Sequence, residues 1–172
     1  METDIKEWLN REGEAFLEDI GIKKGEVVLD FGCGAGHYTI PAAKVVSEEG
    51  KVYAMDKDIE SMHKLMGIAK TRGLKNVIPI HTKSEEPKIN LESESIDVVL
   101  LYDVIHLVGK NNTSTVDDRK KLYKYVYRLT RKNALISVYP SHLTTHTDVT
   151  SKEEIKKEME ETEIKAFFLV IL

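Results

Sequence analysis

The sequence predicts an α/β protein with a doubly wound, mostly parallel sheet and helices on both faces. Strand-like apolar segments alternate with amphipathic helical segments, an order that favours parallel strands joined by right-handed crossovers. The first strand runs into glycines at positions 32, 34 and 36, a loop typical of ligand sites at the carboxyl edge of such sheets. With 172 residues, 41% of them apolar, the chain is long enough for one domain with a sizeable core.

We expect residues 1–172 to form that single domain, with an N-terminal helix in residues 1–20 and the core in 26–172. Apolar residues recur at helical spacing between positions 4 and 19, and this helix is expected to cap an edge of the ligand site. The segments that follow alternate as a strand from Val27, a helix from Gly36 to Gly50, a strand Lys51–Asp56, a helix ending at Gly73 and a strand Val77–His81. Pro79 predicts that this last strand lies at an edge.

The second half continues the alternation. A strand from Ser95 is followed by a helix over residues 118–132, by a fifth strand that ends at Pro140, and by a helix that Ser151 and Glu154 open as a capping box. Leu122, Val126 and Leu129 are expected to pack on the sheet, while the many cations of the 118–132 helix, Arg119 among them, are expected to be solvated. One strand, Ile164–Leu172, follows the last helix.

Composition argues against several functional classes, and for the cationic 118–132 helix with its interleaved tyrosines we favour a solvated face over a nucleic-acid face. The formal net charge of −4 provides no basic field for nucleic acid, and no apolar run approaches the roughly 20 residues that span a bilayer. The first residues carry no apolar core like that of a signal peptide, and a single cysteine, Cys33, excludes an intramolecular disulfide. We therefore expect a cytoplasmic protein.

The glycine spacing discriminates between nucleotide ligands. A dinucleotide fingerprint needs a third glycine three positions after Gly34, where this chain has His37. A phosphate-binding P-loop needs a lysine after its last glycine, and none follows Gly36. The remaining pattern is D-x-G-x-G-x-G over Asp30–Gly36. Its side-chain-free positions let the backbone approach a ligand closely.

Two segments further along the chain resemble parts of a nucleotide-binding site and follow the glycine loop in the order that such a site needs. Asp56 ends the second strand, 20 positions after Gly36, where a carboxylate accepts hydrogen bonds from ribose hydroxyls. The segment Ser95–His106 is a strand that opens with an acidic residue. With the glycine loop, these segments resemble the class I S-adenosylmethionine-dependent methyltransferases. Arg128–Pro140 is similar to that family's turn before strand five, with Asn133 where glycine is usual, and the resemblance covers about residues 20 to 160.

The resemblance implies a Rossmann-like fold, S-adenosylmethionine as cofactor, and methyl transfer. It implies that the loop backbone contacts the methionine part of the cofactor, that Asp56 binds the ribose, and that Tyr102 and Asp103 face the transferable methyl or the amino acid moiety. Relatives end strand three with an Asp that binds adenine, and Ser84 is the substitute in this chain. The implied cofactor-binding residues are Asp30, Gly32, Cys33, Gly34, Gly36, Asp56, Ser84 and Tyr102.

The catalytic candidates are Tyr102, Asp103 and His106, at the end of strand four. For Asp103 we favour the cap of a following helix, and for His106 an ordinary first-turn position over a base or substrate contact. Cys33 is interpreted as a packing residue rather than a reactive thiol. His142 and His146 have the spacing of metal ligands on a helix, but surrounding threonines favour a loop, so no metal is predicted.

The acceptor is expected to be a small molecule, because strand four does not end in the Asn/Asp-Pro-Pro-Tyr that resembles amino-methylating nucleic-acid enzymes. Val108–Asp117 is predicted to form a mobile lid.

Two alternatives to a methyltransferase stay open. A non-catalytic S-adenosylmethionine-binding or assembly module is suggested by the missing adenine-binding Asp and by the lack of the family's final antiparallel strand. Without that strand, the C-terminal strand leaves an unpaired sheet edge, which would favour association into a homo-oligomer. A nicotinamide oxidoreductase is disfavoured by the glycine spacing.

Overall fold

A computed structural model describes residues 5, 7–82, 90–108, 115–139, 152–162 and 167–171. The chain divides into two compact units, one within Met1–Lys83 and the other within Ser84–Leu172. Each unit combines parallel strands with helices, as the alternating pattern of the sequence predicts. Among the described residues, no helix is long and apolar enough to cross a membrane.

The first unit contains three parallel strands, in the order β3-β2-β1. They are β1 Val27–Phe31, β2 Lys51–Asp56 and β3 Val77–His81, and helices α2 Thr39–Val46 and α3 Ile59–Thr71 connect them. Val28 and Leu29 of β1 are fully buried, as expected for a parallel strand covered on both faces. β3 is buried only in part and pairs with β2 in the register Ala54↔Pro79, which confirms the predicted edge position.

The N-terminal segment is helical, but it is not the uniform α-helix that the periodicity predicts. A π-helix, Trp8–Glu12, precedes α1 Gly13–Asp19. The N–H of Gly13 donates to the carbonyl of Trp8, five residues earlier. A Cβ at Gly13 would lie 2.7 Å from Cγ of Pro41, so only glycine allows this close approach to α2. The π-helix, whose turns are wider than those of an α-helix, therefore lies where the N-terminal segment contacts α2.

The described residues of the second unit also form three parallel strands, in the order β4-β5-β6. They are β4 Ile96–Tyr102, β5 Thr130–Tyr139 and β6 Phe167–Ile171, and the helices are α4 Val116–Leu129 and α5 Lys152–Glu161. The expected strand after the last helix is confirmed. It pairs parallel to β5, and the other strand pairs described within the two units are parallel as well.

The start of β5 corrects one predicted boundary. The helix expected to reach residue 132 ends at Leu129, because β5 begins at Thr130. The register passes from Ile96↔Thr130 to Val98↔Leu135, which leaves extra residues in β5 as a bulge. Within it, Asn133 has φ +66°, the left-handed conformation that glycine adopts most readily and that asparagine tolerates. This explains how asparagine replaces the usual glycine.

The contact between α4 and α5 corrects a second prediction. Arg119 is buried and forms a two-pronged ion pair with Glu158, with Nε–Oε2 at 2.8 Å and Nη2–Oε1 at 2.6 Å. The expectation that the cations of this helix are solvated is therefore wrong for Arg119. The expectation for the apolar residues of this helix is confirmed, since Leu122, Val126 and Leu129 are buried.

The start of α4 was also not predicted. Thr115 and Asp118 form a capping box, with the Thr115 hydroxyl accepting from the Asp118 N–H at 3.2 Å. The C-terminal end of the predicted lid, Val116 and Asp117, is therefore the first turn of α4 rather than a loop. Residues 109–114 of that lid lie outside the described residues, and so does Ser151 of the predicted capping box.

Candidate functional site

The loop between β1 and α2 is a run of glycine-type backbone conformations. Gly32, Gly34 and Gly36 have φ values of +82°, +50° and +89°. The N–H groups of Gly32 and Cys33 both donate to the carbonyl of Met55, at 2.8 and 2.9 Å. The loop is thus fixed to the end of β2, the neighbouring strand.

The glycines of the loop have different surroundings. A Cβ at Gly36 would lie 2.3 Å from Cδ1 of Leu65, so this glycine lets α3 pack against the loop. A Cβ at Gly34 would meet no atom within 4 Å. The last glycine therefore serves packing, while the middle one lies beside open space.

Asp56, the last residue of β2, binds this open part of the loop. Its Oδ2 accepts from the N–H of Gly34 at 2.7 Å, and its Oδ1 accepts from the N–H of Asp58 at 2.9 Å. A carboxylate offers about four lone-pair positions, so each oxygen can accept one more hydrogen bond. The residue can hold the loop and a vicinal diol at the same time.

Asp30 lies at the base of the loop and is 2% exposed. Its Oδ2 accepts from the hydroxyl of Thr39, the first residue of α2, at 2.5 Å. Burial raises the pKa of Asp30 to about 6, the Thr39 hydrogen bonds oppose this rise, and the charge of Asp56 adds to it. Thr39 is not among the residues predicted from the sequence. The signal that could have found it is a hydroxyl residue beside the glycine loop, where the next helix begins.

Cys33 is buried within the loop, and its Sγ lies 3.7 Å from the carbonyl of Gly34. Burial raises the pKa of the thiol far above its usual range, and the charges of Asp30 and Asp56 act in the same direction. This environment favours the protonated thiol over the nucleophilic thiolate. This agrees with the interpretation of Cys33 as a packing residue.

The N-terminal segment contacts the end of the loop. The indole Nε1–H of Trp8 donates to the carbonyl of His37 at 2.8 Å, and its ring meets Tyr38 edge-on with centroids 5.4 Å apart. Lys44 of α2 also donates to the carbonyl of Leu9 at 2.9 Å. The contacts agree with the expectation that this segment caps an edge of the site.

The end of β4, in the second unit, carries the three catalytic candidates. Tyr102 is buried and its hydroxyl lies 2.7 Å from Oγ of Ser137. The helix that follows is a short 3-10 helix, Ile105–Leu107, which contains His106. Its N-cap is Val104, with no side-chain cap hydrogen bond, so the interpretation of Asp103 as a helix cap is wrong.

Asp103 instead adopts a left-handed backbone conformation, with φ +53°. Such conformations are uncommon for residues other than glycine and cluster at functional sites. The adenine candidate Ser84 and the histidines His142 and His146 lie outside the described residues. Among the residues that are described, no group of three or more His, Cys, Asp or Glu side chains could hold a metal ion.

A family model described as a methyltransferase domain matches residues 22–168. The chain belongs to this methyltransferase family. It is a class I S-adenosylmethionine-dependent methyltransferase domain with the Rossmann-like, doubly wound α/β fold, and S-adenosylmethionine is its cofactor. The resemblance of the glycine loop and of the two later segments is thereby confirmed.

Solved structures support the fold. A SAM-dependent methyltransferase from Aquifex aeolicus is 27% identical with a TM-score of 0.70, over 93% of this chain and 86% of that one. An arsenic (III) S-adenosylmethionine methyltransferase from Chlamydomonas reinhardtii is 22% identical with a TM-score of 0.65, over 83% and 52% of the two chains. The second likeness concerns the fold alone.

Two curated relatives are similar over a shorter span. A probable cobalt-precorrin-6B C(15)-methyltransferase (decarboxylating) from Saccharolobus solfataricus is 38% identical over 73 residues, 42% of this chain and 36% of that protein. A demethylmenaquinone methyltransferase from Staphylococcus aureus is 33% identical over 85 residues, 49% of this chain and 34% of that protein. The matches span about a third of these relatives.

The residues of the first unit fit the cofactor. The carboxylate of Asp56 has acceptor capacity for the two ribose hydroxyls, and the side of the loop at Gly34 is open. Asp30 and Asp56 place two carboxyl groups around the loop, which suits a ligand that carries a positive sulfonium and an ammonium group. Acceptor capacity, space and charge therefore agree with S-adenosylmethionine.

Proposed function

We propose that this domain transfers the methyl group of S-adenosylmethionine to a small-molecule acceptor. The observation that carries the proposal is the arrangement of Asp56 and Gly34, in which the carboxylate holds the loop at its open position and keeps acceptor capacity for a diol. A loop that served only as a tight turn would not need this second carboxylate beside its open side.

Few groups of the protein would bind S-adenosylmethionine, and each would hold a different part of it. The backbone of residues 30–36, including Gly32, Cys33 and Gly36, would hold the methionine part, and Asp56 would accept from the ribose hydroxyls. Asp30 is almost completely buried at the base of the loop, and the charge of its carboxylate would act on the cofactor from there. Ser84 stays the predicted contact to adenine, and Tyr102 the predicted neighbour of the methyl group.

The chemistry requires little from the protein besides positioning. The sulfonium of the bound cofactor activates its methyl group toward a nucleophilic atom of the acceptor. The protein aligns the acceptor and excludes water, so it needs no covalent nucleophile. This agrees with the protonated state of the buried Cys33 thiol.

The acceptor class is proposed from two observations. The curated relatives are named for small-molecule substrates, a cobalt-precorrin and demethylmenaquinone. The strand that carries the candidates Tyr102 and Asp103 also lacks the motif that resembles nucleic-acid amino methylation. The left-handed backbone of Asp103, a conformation that clusters at functional sites, favours it as an acceptor contact, with His106 nearby in sequence as a candidate base.

Three other expectations belong to this proposal. The family match over residues 22–168 supports one domain that comprises both units. The position of β6 at the end of the strand order supports a homo-oligomer formed at that edge. The cytoplasmic location stays a prediction from the sequence.

The test is a turnover assay. The protein is incubated with S-adenosylmethionine and a panel of small acceptors, and S-adenosylhomocysteine is quantified by mass spectrometry. We expect formation that depends on one class of acceptor, and a large loss of kcat in His106→Gln if this residue is the base. His63→Gln, which replaces an exposed histidine of α3, is the matched control. Cofactor binding without turnover on any acceptor would support the non-catalytic module instead.

A further inference from the structure

Thr39 and Asp30 join the two ends of the glycine loop. Asp30 is the penultimate residue of β1 and Thr39 the first of α2, and both are 2% exposed or less. The hydrogen bond from Oγ1 of Thr39 to Oδ2 of Asp30 measures 2.5 Å. The backbone N–H of Thr39 acts in the same direction as the hydroxyl and helps to lower the pKa of the carboxyl group. The hydroxyl and the backbone of one residue thus both favour the charged form of this buried acid.

These donors oppose the other influences on Asp30. Hydrogen bonds to a carboxylate stabilise its charged form, whereas burial and a nearby negative charge destabilise it. From β2, Asp56 faces Asp30 with the same charge, and from the loop Cys33 contributes a thiol that stays protonated. From α2, the uncharged donors of Thr39 reach it. The resulting pKa of about 6 lies close to neutral pH, so the loss of one donor would change the charge that Asp30 carries there.

We propose that Thr39 is a positioning residue of the cofactor site, whose hydroxyl holds Asp30 as an oriented carboxylate at the base of the loop that receives the cationic cofactor. The inference rests on the assignment of S-adenosylmethionine to this loop. Thr39 does not touch the cofactor in this account. It acts through Asp30, and its effect therefore depends on pH and on the charge of the ligand.

The ligand charge provides a direct comparison. S-adenosylmethionine carries a sulfonium, and S-adenosylhomocysteine has a neutral thioether at the same place. A negative charge at Asp30 should favour the first ligand more than the second. As pH falls through about 6, Asp30 takes up a proton, and the affinity for S-adenosylmethionine should fall more steeply than the affinity for S-adenosylhomocysteine.

The test measures the Kd of both ligands by calorimetry from about pH 5 to about pH 8 for the wild type, Thr39→Val and Thr39→Ser. Valine keeps the shape of threonine but loses the donor. We expect its affinity midpoint for S-adenosylmethionine to move up by about one pH unit, the size expected for one hydrogen bond to a charged group. Serine keeps the donor and should restore the wild-type profile.

Three control variants isolate the effect. Thr71→Val removes the hydroxyl that donates to the carbonyl of Gly67 on α3, and it should leave the profile as in the wild type. Asp30→Asn should abolish the step near pH 6. His37→Gln removes the histidine of the loop, and the step should persist. The emission of Trp8, the single tryptophan, reports whether the loop is intact in each variant, because its indole bonds the His37 carbonyl.

Two results would overturn the inference. One is a Thr39→Val profile with the wild-type midpoint. The other is equal weakening of both ligands at every pH with a changed Trp8 emission, which would show that Thr39 only stabilises the fold. A wild type that binds neither ligand would instead overturn the cofactor assignment and the proposed function together with it.

Discussion

The glycine loop and the contact between α4 and α5 both hold carboxylates, but they hold them differently. Each oxygen of Asp56 accepts one bond from a backbone N–H, of Gly34 or Asp58. Both oxygens of Glu158 are bound by the guanidinium of Arg119, and the pair is buried. Backbone donors orient the first carboxylate without neutralising it, whereas the arginine neutralises the second.

The difference separates a binding site from a structural contact. A carboxylate with its charge and spare lone pairs can bind a ligand with hydroxyl groups or positive charge. A carboxylate paired in two places with arginine serves mainly the packing of its own helices. Substitutions in the two regions should therefore have opposite signatures, on cofactor affinity in one region and on stability in the other.

The largest expected effect on stability is at the α4–α5 contact. Glu158→Ala leaves the buried guanidinium of Arg119 without its partner, which should cost about 3–5 kcal/mol of unfolding free energy. Chemical denaturation of the full chain measures this loss, and calorimetry should find the cofactor Kd unchanged. Glu161→Ala, which breaks the more exposed pair with Lys120, is the control and should cost much less. Equal losses in both variants would contradict the structural role of the buried pair.

A smaller effect on stability is expected in the loop. Gly36→Ala places a Cβ 2.3 Å from Cδ1 of Leu65 at a positive φ, which should cost about 1–3 kcal/mol and weaken cofactor binding. Gly67→Ala in α3 is the matched control. Its Cβ meets no atom within 4 Å, so this variant should gain about 0.4–1 kcal/mol from the less flexible unfolded chain. A stable Gly36→Ala variant with wild-type affinity would contradict the described packing of the loop.

The smallest effect distinguishes two buried tyrosines of the second unit. The hydroxyl of Tyr123 has no hydrogen-bond partner among the described residues, and burial raises its pKa well above the usual range. Tyr123→Phe should therefore be neutral or stabilise by up to about 1 kcal/mol. Tyr102→Phe leaves the hydroxyl of Ser137 without its bond and should cost about 1 kcal/mol. Thermal unfolding compares them, and the reverse order would count against the assignment of these bonds.

Features that depend on local backbone could be predicted from the sequence. The positions of the glycine loop and of Asp56 at the end of β2 follow from spacing along short stretches of chain, where residue type determines conformation directly. Pro79 predicts an edge strand because proline lacks the backbone N–H that an inner strand uses.

Contacts between distant residues could not be predicted in the same way. Arg119 and Glu158 lie 39 positions apart on two different helices, and nothing in either helix specifies the partner. Thr39 could not be singled out from the sequence, because its role depends on the position of its hydroxyl beside Asp30. The cap assigned to Asp103 failed because the chain takes a left-handed turn before a short 3-10 helix, which apolar periodicity does not report.

The central claim is that the Asp56–glycine loop arrangement is the S-adenosylmethionine site. Calorimetric titration with S-adenosylmethionine, S-adenosylhomocysteine and NAD, on the wild type, Asp56→Ala and Asp58→Ala, tests it most directly. Asp58 is the matched control, since its side chain only caps α3. We predict that the wild type and Asp58→Ala bind both adenosyl ligands and not NAD, and that Asp56→Ala weakens adenosyl binding about 100-fold or more, as expected for two lost bonds to a charged group. Unchanged affinity in Asp56→Ala, or a preference for NAD, would contradict the account.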